Sequence, residues 1–290
     1  MKAREIVIHI LMVTVSIAVL GCGYILFKNA KSTGSITEDV VYTKTNSLGG
    51  NAKDTAEDLL NSSNISSEEK NYYKEKTMDQ LNSYFNISYE DFEHMNFIVN
   101  KINEGVITKI QEEAKSSIKS DYAKNKITKE QYDDKMEDCN NGTYAYWKDM
   151  VKELDHDLVE TVWTSRKKIY ECRFNENTKE IDAILVTELP DDFKESEKFS
   201  EEAMRGTAED FINKNFSDYD NLEFTQIKRN ENDKYGNLLN TWFVCFKDKS
   251  DESKMIIIGI NEDTGKINYL MKDKYAKYML KNQMKANNIV

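Results

Sequence analysis

The chain has 290 residues, with 40 Lys and Arg against 51 Asp and Glu, for a net charge of −11 when its three histidines are neutral. Beyond residue 31 the balance is 36 basic to 50 acidic residues; such a field repels nucleic acid and anionic lipid headgroups and excludes both as partners of the body. Hydrophobic residues make up 39%, enough for a core. Of four cysteines, Cys22 falls in the N-terminal apolar segment and Cys139, Cys172 and Cys245 remain, an odd number without a C-x-x-C pair, which excludes a full disulfide framework, a zinc ribbon and thioredoxin-like chemistry.

After Lys2 and Arg4, residues 6–27 run for 22 positions without Asp, Glu, Lys or Arg, long enough to cross a hydrocarbon core of about 30 Å as one helix. Two readings stand for this segment. One is an uncleaved single span; the other is a lipid anchor, because Val19-Leu20-Gly21-Cys22-Gly23 has the form of a lipobox in which Cys22 is diacylated. Both make residues 1–31 a membrane anchor. The five-residue head before the span leaves the bulk of the chain outside the cytoplasm. Residues 32–52, rich in Ser, Thr, Gly and Asn, read as a flexible linker.

Residues 53–158 read as a helical region. Ser66 with Glu69 forms a capping pattern for a helix to Phe85. A longer helix is expected over 88–125, where Ile98, Ile102, Val106, Ile110 and Ile118 fall on a stripe stepping by four. That stripe is the candidate partner-binding face, and a hairpin with the preceding helix is the competing use of it. Thr128 caps a further short helix, Asn140-Asn141-Gly142 breaks it, and Trp147, Val151, Leu154 and Leu158 keep helical spacing after the break.

The β-rich remainder divides into a first module over 159–190, closed by the only proline, Pro190, and a second over 196–290. The second contains a helix from Ser200, a strand over 222–228, and three strands between 238 and 271, followed by a Lys-rich helix over 273–285. Trp242, Val244 and Phe246 alternate with Phe243 and Cys245, and Ile256, Ile258 and Ile260 with Ile257 and Gly259. Both faces of this sheet are apolar, so something must cover each. Tyr170, Cys172 and Phe174 share one strand face, and Cys172 and Cys245 are either buried thiols or a bridged pair.

The last hairpin turn is legible: Asn261, Asp263 and Thr264 bond the local backbone and Gly265 supplies a positive φ. A related turn, Asn175-Glu176-Asn177-Thr178-Lys179, lies 86 positions earlier between two β-rich runs, which reads as an internal duplication. On the helix from Ser200-Glu201-Glu202-Ala203 to Phe211, the run Trp242-Phe243-Val244-Cys245-Phe246, and Ile258-Gly259-Ile260-Asn261 with Asp263-Thr264-Gly265-Lys266-Ile267, residues 200–271 resemble the PepSY domain family. The resemblance implies an α+β fold, with one or two small antiparallel-sheet modules each backed by a helix. It also implies a non-catalytic module that binds and modulates a peptidase or cell-wall hydrolase. It brings no catalytic residue.

No catalytic, cofactor or metal role is assigned to any residue. Outside the anchor the histidines are His94 and His156, without a metal-ligand spacing, and no G-x-S-x-G, Walker or dinucleotide glycine pattern occurs. The resulting expectation is a membrane-anchored, extracytoplasmic protein-binding module. The alternatives are a metal-dependent hydrolase using His94 and His156, and a structural envelope or sporulation assembly component.

Overall fold

The computed structural model describes residues 65–165, 167–188, 198–216, 221–229 and 241–286. The membrane-anchor segment, Cys22, the linker and Pro190 lie outside the described residues, and among those described no helix is long and apolar enough to cross a membrane.

Helix α1 (Ser67–Phe85) begins where Ser66 accepts from the Glu69 amide at 3.1 Å and ends at Asn86, whose left-handed φ of 54° stops it. A 3-10 turn (Tyr89–Phe92) leads into strand β1 (Asn96–Ile102), and helix α2 (Glu104–Ala123) follows at once. The expected helix over 88–125 is therefore three elements. Asn103 makes the break: its side chain accepts from the Val106 amide at 2.9 Å and starts α2 there. Helices α3 (Lys129–Asn141, capped by Thr128 and Gln131) and α4 (Thr143–Leu154) match the sequence reading.

Strands β2 (Leu158–Thr164), β3 (Lys168–Asn175) and β4 (Ile181–Glu188) complete the first half. Helix α5 (Glu201–Asn215) opens the second half, followed by β5 (Leu222–Arg229), β6 (Thr241–Asp248), β7 (Met255–Asn261), β8 (Ile267–Lys272) and helix α6 (Asp273–Ala286). The strands form one antiparallel sheet in the order β1-β2-β3-β4-β8-β7-β6-β5. The α+β class holds, but separate small modules give way to one eight-stranded sheet. Its halves meet where β4 pairs β8 through Ala183 with Met271, Ile184 with Leu270 and Leu185 with Tyr269.

Each half is a helix followed by four strands, so the repeat is larger than the turn alone suggests. The first copy begins with α1 and β1, inside the expected helical region, and α2, α3 and α4 are inserted between its first two strands. The turns share their main hydrogen bonds. Asn175 Oδ1 accepts from the amides of Asn177 and Thr178, and Asn261 Oδ1 from those of Asp263 and Thr264. Lys179 and Gly265 donate to the carbonyls of Asn175 and Asn261 at 2.9 and 2.8 Å, with φ of 62° and 64°. The Glu after each Asn pairs with a cation of the same copy's edge strand: Glu176 with Lys101 at 2.6 Å and Glu262 with Arg229 at 3.3 Å.

Both sheet faces are covered, as their composition demands. On face one, α1 contributes Tyr73 and Leu81, and α5 contributes Met204, Ala208 and Phe211, against Tyr170, Phe174, Val244, Ile256 and Ile258. Leu81, fully buried, stabilises the fold by about 2 kcal/mol through the water it sheds. On face two, α2, α4 and α6 contribute Ile110, Trp147, Met150 and Tyr275, against Phe243, Cys245, Ile257 and Met271. Helices α1 and α2 thus lie on opposite faces and do not form the expected hairpin. Cys172 belongs to the face-one core and Cys245 to face two; both are unbonded, which removes the bridged alternative.

Candidate functional site

The stripe expected to bind a partner is divided between two elements. Ile98 and Ile102 lie on β1, and Val106, Ile110 and Ile118 on α2. Ile102, Ile110 and Ile118 are buried in the face-two core, Val106 packs partly buried against it, and Ile98 is half-buried on the edge strand. Ile102, Val106, Ile110 and Ile118 therefore make an internal contact, and of the stripe Ile98 alone stands at the sheet edge. The turn residues Asn261, Asp263, Thr264 and Gly265 do the structural work expected of them. A Cβ at Gly265 would lie 2.5 Å from the Phe199 ring, so the turn also locks against the start of α5.

Three loci hold chemistry-bearing groups. The first is His156, whose Nε2 lies 2.8 Å from Asp182 Oδ2 with the ring 7% exposed. No hydroxyl or thiol bonds this imidazole among the described residues. His94 is exposed ahead of β1, whereas His156 precedes β2, which runs antiparallel to β1. The length of a seven-residue strand, roughly 20 Å, therefore separates them. A shared metal site of His94 and His156 does not form, and among the described residues no group of three or more His, Cys, Asp or Glu could hold a metal ion. Neighbouring Asp157 is raised above the usual carboxylate range by burial first and then by the charge of Glu176.

The second locus is a polar centre on face two that sequence reading missed. Glu160 on β2 lies directly opposite Arg173 on β3, and Glu171 is two residues before Arg173 on the same face. Arg173 bonds both Glu160, at 3.3 Å, and Glu171; its Nη1 donates to the Tyr275 hydroxyl; and its guanidinium lies 4.7 Å from the Trp147 ring centre. Burial disfavours the charge on Arg173, but Glu171, Tyr275 and Glu160 outweigh burial and hold its pKa well above the ordinary value. Burial pushes the Tyr275 hydroxyl up as well, so it stays protonated. Arg173 is spent on other groups of the chain, whereas Glu160 Oε2 is buried without a hydrogen-bond partner among the described residues. The centre fastens to the sheet the helices α4 and α6, which cover it. The available signal was the strand face Tyr170, Cys172 and Phe174, which leaves Glu171 and Arg173 on the other, covered face.

The third locus is the pair of sheet edges. At β5 the register shifts between Phe224 and Gln226, Glu223 pairs with Lys249, and Lys228 and Arg229 end the strand. A bulge and charges of this kind blunt an edge against pairing. Strand β1 pairs β2 in unbroken register from Asn96 with Thr164 to Ile102 with Leu158. It carries half-buried Phe97 and Ile98 on opposite faces, and its only charge, Lys101, is engaged by Glu69 and Glu176. Of the two edges, β1 is the less blunted. Comparison with family models, with curated proteins and with solved structures finds no match to this chain.

Proposed function

We propose that this is a membrane-anchored, extracytoplasmic, non-catalytic protein-binding module, PepSY-like in its second copy, that modulates a peptidase or cell-wall hydrolase. The observation that carries the reading is the unblunted edge of β1 on a sheet whose two faces are already covered by the chain's own helices. An extended polypeptide adds to such an edge through main-chain hydrogen bonds, which give affinity without a pocket. Arg173 is held by Glu160 and Glu171 beneath α4 and α6, and His156 by Asp182, which supports a binding rather than a catalytic role.

The test uses the detergent-solubilised full chain as bait in envelope extracts, followed by rate assays of each retained peptidase or wall hydrolase with and without added chain. Specific retention together with a changed hydrolytic rate is expected. No specific retention, or turnover of a wall or peptide substrate by the purified chain alone, overturns the reading.

A further inference from the structure

We propose that the outer edge of β1 takes an extended segment of the partner protein, apolar at its centre and basic at both ends, as a ninth strand of the sheet. This rests on the protein-binding reading above and names the chemistry of the segment bound.

The argument begins with the backbone. β1 is the terminal strand of the sheet, and among the described residues no second strand pairs with it beyond β2. Its register is continuous over all seven residues, so the amides and carbonyls of alternate residues face outward without interruption. Phe97 and Ile98 are half-buried on opposite faces, so an incoming strand meets an apolar neighbour on either side and buries the remainder of both.

Charge complementarity fixes the ends. Exposed Glu90 and Glu93 precede β1, and exposed Glu104 follows it. Exposed Glu68 stands beside Glu69, whose carboxylate reaches Lys101 at 3.3 Å near the far end of β1. None of these four carboxylates forms an ion pair among the described residues, whereas Lys101 is already held by two acids. A segment with Lys or Arg at both ends meets opposite charge at each, and an acidic segment is repelled at each.

The experiment measures binding of labelled peptides to the detergent-solubilised full chain. One peptide has lysines at both ends of a Val-Thr-Ile-Thr-Val centre. A second replaces the lysines by glutamates, and a third keeps the lysines but methylates alternate backbone amides. The lysine peptide is expected to bind, and each of the others to bind about 10-fold or more weakly. Ile98→Lys, or Phe97→Lys where the first variant does not melt like the native chain, is expected to weaken the lysine peptide about 10-fold by placing a charge along the edge. Thr225→Lys on the other edge leaves it unchanged. Equal binding of the three peptides, or native binding by a properly folded β1 variant, overturns the proposal. So does a self-associated form that Ile98→Lys dissolves, because the occupant is then a second copy of this chain. A partner retained from extracts equally by native and Ile98→Lys chains removes the edge assignment but leaves the protein-binding reading. Peptide binding with no retained partner removes that reading instead.

Discussion

The two copies of the repeat place the same backbone positions under the helices of face two and fill them with opposite chemistry. In the first copy the positions are Glu160, Glu171, Arg173 and Ala183; in the second they are Phe243, Ile257, Gly259 and Tyr269. The first set is an ionic centre closed by Tyr275 and Trp147. The second is an apolar stack in which Gly259 leaves room for the Tyr269 ring, itself edge-on to Phe243 at 5.6 Å. The two copies share turn geometry and the register of their inner strands, which the backbone dictates, while their edge strands and face-two side chains differ with what covers them. The first copy carries the inserted helices α2, α3 and α4 and must hold them; a directional ion pair under α4 and α6 does so in one orientation.

The largest expected effect comes from opening the ionic centre. Arg173→Met leaves Glu160 and Glu171 buried without their cation and is expected to cost about 3–5 kcal/mol in denaturant unfolding. Replacing Glu160, Glu171 and Arg173 together by apolar residues of similar volume is expected to return most of that loss. If the triple variant is as unstable as the single one, the two fillings are not interchangeable.

The apolar copy is probed by Gly259→Ala. The added Cβ would stand 2.6 Å from Tyr269 Cβ, so the ring must shift, at a cost of about 1–3 kcal/mol in the same assay. The turns give effects of opposite sign. Lys179 holds a left-handed φ that costs an L-residue about 1–2 kcal/mol. Lys179→Gly is therefore expected to stabilise by about 0.5–1 kcal/mol after loss of its contacts with Glu69 and Tyr73. Gly265→Lys is expected to destabilise by at least as much, because of both the backbone and the Phe199 ring. Thermal melts of the two variants check the pair.

The smallest effect is a pH response at one corner of the second copy. Asp248 ends β6 and accepts from the Ser250 hydroxyl at 2.6 Å and from the Ser250 and Asp251 amides; these bonds, the Ser250 hydroxyl first, hold its carboxyl below the usual range. A depressed folded pKa means that its contribution is present above the unfolded value, about 3.9, and is lost as pH falls through the lower folded value. At the matching corner of the first copy Ser165 accepts from the Lys168 amide, and a hydroxyl does not titrate there. Carboxyl NMR titration of Ser250→Ala is expected to return Asp248 toward its ordinary value; an unchanged titration breaks the attribution.

Much of this architecture was legible in the sequence where one local signal sufficed. The caps at Ser66, Thr128 and Ser200 mark true helix starts, and the Asn-Glu-Asx-Thr turns mark the repeat. Strand β1 was misread for a definite reason. A step of four keeps Ile98 and Ile102 on one face of a strand, where the period is two, and Val106 and Ile110 near one face of a helix, so the stripe passes unbroken from one element into the other. Only Asn103-Glu104-Gly105 marks the change. Reading β1 as helix hid the full extent of the first copy and with it the edge that distinguishes the two halves. The ionic centre stayed hidden because Glu171 and Arg173 look solvent-facing until the inserted helices and α6, distant in sequence, cover them.

The three-residue seam between β4 and β8 has a consequence for how the chain is made. Once Glu188 has been made, β4 can pair β3, but its outer edge waits for β8, roughly 80 residues later, about 4–16 s at ordinary synthesis rates. During that interval the half-made sheet offers a raw border to any nascent neighbour. Its most complementary mate is the late strand of another molecule, so a high local density of newly made chains is where this protein would exchange halves between chains.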